Sequence, residues 1–377
     1  MTTVVHRVQA AIDLSALKHN FRVAQTKSKG PVSAIIKANA YGHGLIKTAE
    51  TLTDAESFGV TDVYEALQLK QAGCSKPIIV LQGLMGKEDI ALVLEHRFQL
   101  VIHSMSQLAL LEEALDVKKR ASFSPLTLWL KMDTGMGRLG LTPGAYDAAY
   151  KKLQDKVWVE KIICMTHLAN ASLPDDALTN QQLECFSDHT SQYHDSTKSI
   201  RSSAGILGSN AMDQEQVRPG LMLYGSSPFP YALETMRREQ FDLQAVMTLQ
   251  AKIISIKNMK AGHNIGYCSQ YICPQDMKIG IVSIGYADGY PSNAPNGTPV
   301  LVNGVRSETL GRVSMDMIAV DLTHIQSAVE GDLVTLWGKQ LSIDEIADKT
   351  GIISYKLTSG IANRVTYSYR HQNQDGD

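Results

Sequence analysis

Short apolar, β-branched runs recur through the first 223 residues: VSAIIKA (32–38), SFGVTDV (57–63), PIIVLQG (77–83), QLVIHS (99–104), PLTLWLKMD (125–133), EKIICMTHLA (160–169), SIRSSAGI (199–206) and EQVRPGLML (215–223). Most are followed by stretches of helical period, such as TDVYEALQLKQAG, where Val63, Leu67 and Ala72 share one inward face, and residues 143–156. Eight strand–helix alternations predict an α/β fold built on a (β/α)8 barrel of the TIM type.

The rhythm breaks at GSSPFPY (225–231), where two prolines interrupt it. Beyond it, FDLQAVMTLQAKIISI, MKIGIVSIGYADGY, PVLVNGVRSETL, MIAVDL and DLVTLWG are strand-like and separated by Gly, Pro and Asn. Asn303-Gly304 is a two-residue hairpin signal, because both positions tolerate φ > 0. The expected organisation is a barrel over residues 1–233 and a C-terminal β-rich domain over 234–377, with roughly the first ten residues packing on the second domain.

Composition narrows the class. A chain of 377 residues that is 44% hydrophobic can bury a large core in two domains. Its net charge of -2 gives no footprint for nucleic acid or an anionic membrane. No apolar stretch is long enough to span a bilayer, and the N-terminus lacks a signal-peptide pattern, so a cytoplasmic protein is expected. Five scattered cysteines form no disulfide framework, and Cys268 and Cys273 have no matching Cys or His pair, so no metal site is expected.

The most informative run is AIIKANAYGHG (34–44). Lys37 follows Val32, Ile35 and Ile36, and apolar surroundings push a lysine toward its neutral, nucleophilic form. Further chemically able residues fall where a barrel would gather them. Lys131 and Asp133 lie in the fifth strand with Arg138 just after, His167 ends the sixth, Ser203 lies in the seventh and Arg218 in the eighth. Active sites of such barrels form at the C-terminal ends of the strands. In KMDTGMGRLG (131–140), glycines allow close backbone approach and Arg138 offers a planar cationic fork to an anion. Lys131, flanked by Leu128, Leu130 and Met132, needs a partner for its charge, and Asp133 is one candidate.

AIIKANAYGHG resembles the cofactor-lysine signature of the alanine racemase family, the fold-type III enzymes that carry pyridoxal 5′-phosphate (PLP). KMDTGMGRLG, VRPGLMLYG, IGYCSQY (265–271), VSIGYADGYPS (282–292) and GRVSMDMIAVDL (311–322) resemble other segments of that family. SIRSSAGI is a looser match at Ser202, where asparagine is common, and RVTYSY (364–369) departs from the usual Pro-Arg in its middle. The resemblance implies that Lys37 holds PLP as an aldimine and that Arg138 contacts the cofactor's phenolic oxygen and the substrate carboxylate side. It also implies that Lys131 is carbamylated to orient that arginine, and that Tyr369 meets the phosphate. Tyr41, Ser203 and the backbone of Gly220 and Leu221 suit the same phosphate, which needs amides and small hydroxyls. Arg218 would face the pyridine nitrogen, and an arginine there weakens the ring as an electron sink and so limits transamination.

By the same resemblance Tyr267 is a second base, Tyr286 narrows access, Met315 offers its backbone amide to the substrate carboxylate, and Asp316 borders the pocket. The family often has cysteine where Ser314 stands. Tyrosine titrates near ~10, so Tyr267 needs a nearby cation, with His167 and Arg218 as candidates. Lys37 would then act on the D-enantiomer and Tyr267 on the L-enantiomer, in a head-to-tail homodimer with shared sites. The implied reaction interconverts L- and D-alanine, for cell-wall synthesis or amino-acid breakdown. Serine or a broader substrate range is an alternative, since a small pocket rejects one hydroxyl weakly and Asn363 could offer a polar contact. A PLP-dependent decarboxylase, which shares the barrel, the lysine and a β domain, is a further alternative, but DTGMGRLG with VRPGLMLYG favours the racemase. A non-catalytic PLP-binding protein of the same barrel class is normally a single barrel, against which the C-terminal β domain argues.

Overall fold

The computed structural model describes residues 6–116, 124–173, 175–208, 215–231 and 241–371. Seven parallel strands, Ser33–Ile35, Ser57–Val60, Ile78–Val80, Gln99–Ile102, Leu126–Lys131, Val159–Met165 and Lys198–Ser199, pair in sequence order. The eighth place in the ring is taken by residues 216–219, which bridge both neighbours through Val32↔Val217 and Ser202↔Arg218. Ser33 and Ile35 donate to the carbonyls of Val217 and Pro219 at 2.9 Å, so the barrel closes. Pro219 has no N–H to extend the ladder, and a 3-10 turn, Leu221–Tyr224, follows it. The seventh strand is shorter than its apolar run suggests. Ser203 therefore opens a short helix, Ser203–Gly208, rather than lying in the strand.

Alternation within the strands divides the core. Ile79, Val101, Trp129, Ile163 and Met165 pack together, while neighbours such as Ile78, Val80, Leu100 and Leu128 join the cluster that includes the helices. On the side where the ring closes, polar side chains contact one another instead. Ser33 and Ser57 hydroxyls lie 2.8 Å apart, Gln216 Nε2 donates to Ser33 Oγ at 2.8 Å, and Ser199 Oγ donates to the Gln216 carbonyl.

The second domain is organised by the long strand Met247–Met259. Its first half pairs with Leu333–Trp337 and with the N-terminal strand Val8–Asp13, and its second half pairs with Met277–Val282. Because Met277–Val282 also pairs with Ile318–Asp321, the antiparallel sheet closes on itself. The strand Thr366–Arg370 adds in parallel to Val8–Asp13, so the first and last described strands lie side by side in this sheet. Asn303 and Gly304, at φ 48° and 83°, turn the hairpin between Pro299–Val302 and Val305–Leu310. The first barrel helix, Leu14–Lys27, starts where Asp13 caps the amides of Ser15 and Ala16. The domain boundary expected at residues 233 and 234 lies outside the described residues. No helix among the described residues is long and apolar enough to cross a membrane.

Candidate active site

Lys37 stands two residues beyond its barrel strand, at the start of an unusual turn. Ala38, Asn39, Ala40 and Tyr41 all adopt left-handed helical angles, φ 52–55°. Asparagine tolerates this conformation, but for the other three it costs on the order of 1–2 kcal/mol each. Contacts from outside the turn offset that strain. Asn39 Oδ1 accepts from Leu45 N at 2.8 Å, and Glu65 Oε1 accepts from Asn39 N at 3.3 Å. His43, almost wholly buried, meets the Ala40 and Tyr41 carbonyls through Nδ1 and stacks on Tyr224 at 4.5 Å. The Gly-His-Gly segment is thus a clamp, not a hinge. A Cβ on Gly42 would overlap the Thr358 carbonyl, and one on Gly44 would overlap the Tyr369 hydroxyl, so the second domain presses directly on this turn.

The loop bearing Arg138 is wound around a carboxylate. Asp133 Oδ1 accepts from the amides of Gly135, Met136 and Gly137 at 2.9–3.1 Å. Leu141 returns to pair with Lys131 and Asp133 at 2.9 Å, folding the loop back over the strand end. Burial would raise the Asp133 carboxyl, but the three amides outweigh it and hold it below the ordinary value. That oxygen is committed to the loop, and the Lys131 side-chain amine forms no ion pair or hydrogen bond with Asp133 or any other described residue. The expected Lys131–Asp133 pairing is therefore only a through-space attraction.

Lys37, Lys131, Arg138, His167 and Arg218 converge closely enough to perturb one another. Burial, then Arg138, lowers the Lys37 ammonium, while Glu65 pulls it back up. Burial, then Arg218 and Arg138, lowers Lys131 to about 8. Burial, followed by Arg218, Lys131 and the other two cations, drives His167 to about 3. His167 is therefore neutral at physiological pH and supplies no positive charge to a tyrosine, contrary to the sequence expectation. Arg218 is buried, with its guanidinium donating to Ser199 Oγ and to the carbonyls of Thr166 (2.7 Å) and Ile200 (3.2 Å). Gln182 secures the loop that carries His167, donating to its carbonyl at 3.1 Å and accepting from Ala169 N at 2.8 Å.

Opposite these cations lies a set of amides and hydroxyls. Ser203 Oγ accepts from Gly220 N (3.0 Å) and Met222 N (3.2 Å), and the Leu221 amide between them has no hydrogen-bond partner among the described residues. A Cβ on Gly220 would sit 2.6 Å from Tyr41 Oη, so only glycine lets that hydroxyl reach this backbone. The Tyr41 ring stacks on Tyr224 at 4.9 Å and meets Tyr355 at 5.9 Å. Tyr369 reaches the same end of the turn through Gly44.

Apart from Tyr369, the residues expected from the second domain are exposed or paired within that domain. Tyr267 is 66% exposed on a short 3-10 turn, and Tyr286, Met315 and Met317 are exposed as well. Asp316 bonds to Arg364, which together with Arg7 also binds the fully buried Asp288. Tyr286 N and Ala287 N donate to the carbonyls of Ser314 and Met315 at 3.1 and 3.0 Å, tying the access tyrosine to the Met315 loop. Sequence reasoning missed Glu65, Tyr224, Tyr355 and the Asp288–Arg364 pair. Tyr224, Asp288 and Arg364 stand inside the runs VRPGLMLYG, VSIGYADGYPS and RVTYSY, whereas Glu65 and Tyr355 lie outside those family-like segments.

A closed α/β barrel with a desolvated lysine and a ring of cations at its mouth, joined to a β domain, defines an enzyme that handles an anionic ligand through an amine. The profile of the alanine racemase N-terminal domain matches residues 12–228, and that of the alanine racemase C-terminal domain matches residues 246–369. The chain belongs to the alanine racemase family. It is 42% identical over 350 residues to the catabolic alanine racemase of Pseudomonas putida, covering 93% of this chain and 95% of that protein. The crystal structure of a biosynthetic alanine racemase from Pseudomonas aeruginosa superposes with TM-score 0.89 at 38% identity, covering 97% of this chain and all of the other. An alanine racemase from Bartonella henselae with covalently bound pyridoxal phosphate superposes with TM-score 0.85 at 27% identity, covering 97% and 100% of the two chains.

Proposed function

We propose that this protein interconverts L- and D-alanine with pyridoxal 5′-phosphate, by a two-base reaction in a head-to-tail homodimer whose sites combine one chain's barrel with the other's β domain. The observation that carries this reading is the left-handed turn that presents a desolvated Lys37 to Arg138. The chain's residues fit the cofactor. Four cations face one another, against Glu65, Asp133 and Glu215 as the acids acting on them, an arrangement that favours an anion. The free Leu221 amide, the Gly220 cradle, Ser203, Tyr41 and Tyr369 suit a phosphate group.

When bound, the cofactor would delocalise negative charge from the substrate α-carbon. Lys37 holds it and exchanges the proton on the D side; Tyr267 exchanges it on the L side. Arg138 orients the substrate carboxylate side with the Met315 amide, and Tyr286 and Asp316 border the pocket. Lys131, lowered to about 8, has the neutral amine fraction that carbamylation requires, and the resulting anion would steady Arg138. Arg218, anchored by three acceptors, would offer the cofactor's ring nitrogen a cationic donor, with neutral His167 nearby.

The need for a second chain rests on exposure. Tyr267 is not among the groups that act on Lys37 within one chain, and its own side chain is largely exposed. Mixing a Lys37→Ala chain with a Tyr267→Phe chain tests the shared site. Each variant alone should lose racemisation by about 10²–10⁴-fold, and the mixture should regain part of it because one of the two sites is intact. Tyr267→Phe should still exchange the D-alanine α-proton with solvent deuterium. No recovery on mixing would sink the shared site, and unchanged turnover in Tyr267→Phe would remove that base. A panel of L-amino acids including serine, scored for D-product, fixes the substrate range.

A further inference from the structure

We propose that Glu65 is the positioning residue for Lys37, an inference that rests on Lys37 being the cofactor lysine. Glu65 lies in the helix Val63–Gln71 that follows the second barrel strand. Its carboxylate joins two segments: Oε2 accepts from Thr61 N at 2.8 Å at the end of its own strand, and Oε1 accepts from Asn39 N at 3.3 Å. Asn39 is the second residue of the left-handed turn. One side chain thus ties the neighbouring strand to the lysine turn, next to the strained Ala38 and Ala40.

The same carboxylate acts on the lysine by charge. The groups acting electrostatically on Lys37 are Arg138, from the loop after the fifth strand, and Glu65, and Lys37 in turn perturbs Lys131 and His167. Glu65 is the acid among them, so it opposes the cations that would otherwise drive the amine further toward neutrality. Asp62 accepts from Glu65 N at 2.9 Å and caps the helix, which fixes the side chain's point of origin. Glu65 touches neither substrate nor cofactor in this scheme. It sets where the amine stands and how readily it holds a proton.

Two variants separate the two effects. Glu65→Gln preserves the volume and removes the charge; Glu65→Ala removes both hydrogen bonds. In full-length protein stripped of cofactor, competitive acylation of Lys37 followed across pH by peptide mass spectrometry should show the Glu65→Gln midpoint lowered by about half a unit or more. In the cofactor-loaded enzyme, Glu65→Ala should speed hydrogen–deuterium exchange in the peptide covering residues 37–42 by tenfold or more. Exchange in the hairpin Pro299–Leu310 should not change. An unmoved midpoint in Glu65→Gln, or unchanged exchange in Glu65→Ala, overturns the proposal. If the hairpin also loses protection, Glu65→Ala is globally destabilised and the Glu65→Gln midpoint alone decides. Borohydride reduction of wild-type enzyme distinguishes the underlying reading: a cofactor mass absent from Lys37 refutes the lysine assignment itself, whereas its presence with an unmoved midpoint refutes only the role of Glu65.

Discussion

Replacing Gly42 by alanine tests whether the second domain holds the lysine turn in place. The new methyl would overlap the Thr358 carbonyl oxygen and lie 2.7 Å from its carbon and 3.0 Å from Ser359 Cα. These are backbone atoms of the helix Ser354–Ser359, so they cannot swing aside as a flexible side chain would. Gly42 also has φ +83°, where alanine is disfavoured by about 1 kcal/mol. Gly73 provides the control, because it has nearly the same angle, φ +85°, with nothing within 4 Å of its added Cβ. Gly73→Ala should therefore cost only about 1 kcal/mol. Gly42→Ala should cost that plus about 1–3 kcal/mol for the forced displacement. Urea unfolding of both variants at one protein concentration, with cofactor saturating, measures the difference. Gly42→Ala should also lose activity out of proportion to its stability, since any relief of the clash moves the turn that carries Lys37. Equal destabilisation of the two variants would refute the contact between the turn and the helix.

Acid sensitivity should trace in part to two histidines, the buried His43 and the half-buried His167. Burial lowers His43 to about 4 and His167 to about 3, below the ordinary ~6.5. The unfolded chain takes up these protons first, so the stability they represent is complete above about pH 6.5 and falls as pH drops toward 4. The slope reaches about 1.4 kcal/mol per pH unit per histidine. His43→Asn should flatten the dependence of urea midpoint on pH over that window, and an unaltered slope would contradict the assignment. At Lys131, an intact mass measured under carbon dioxide should carry one added carboxyl group that Lys131→Met lacks, with turnover lowered about 10²-fold through a misplaced Arg138. Equal masses with full turnover would leave Lys131 as an ordinary buried amine.

The sequence by itself determined the order of elements and singled out Lys37 as the candidate lysine. Strand and helix are written in local periodicity, which is why the parallel ring and the Asn303-Gly304 hairpin were legible from residues near in sequence. Lys37, Lys131, Arg138 and Arg218 were readable as a group because a barrel gathers its strand ends whatever the detail of packing. The tertiary structure alone decided how those residues behave. No local signal marks a left-handed turn at Ala38–Tyr41, because its strain is offset by Glu65 and by a close approach to Thr358, some 316 residues beyond Gly42. His167 reads as a cation in the sequence and is neutral in the fold, since desolvation and through-space charge depend on neighbours that the chain brings together only when folded. The exposure of Tyr267 is likewise a property of the folded surface, set by how the turn that carries it packs on its own domain rather than by its neighbours in sequence.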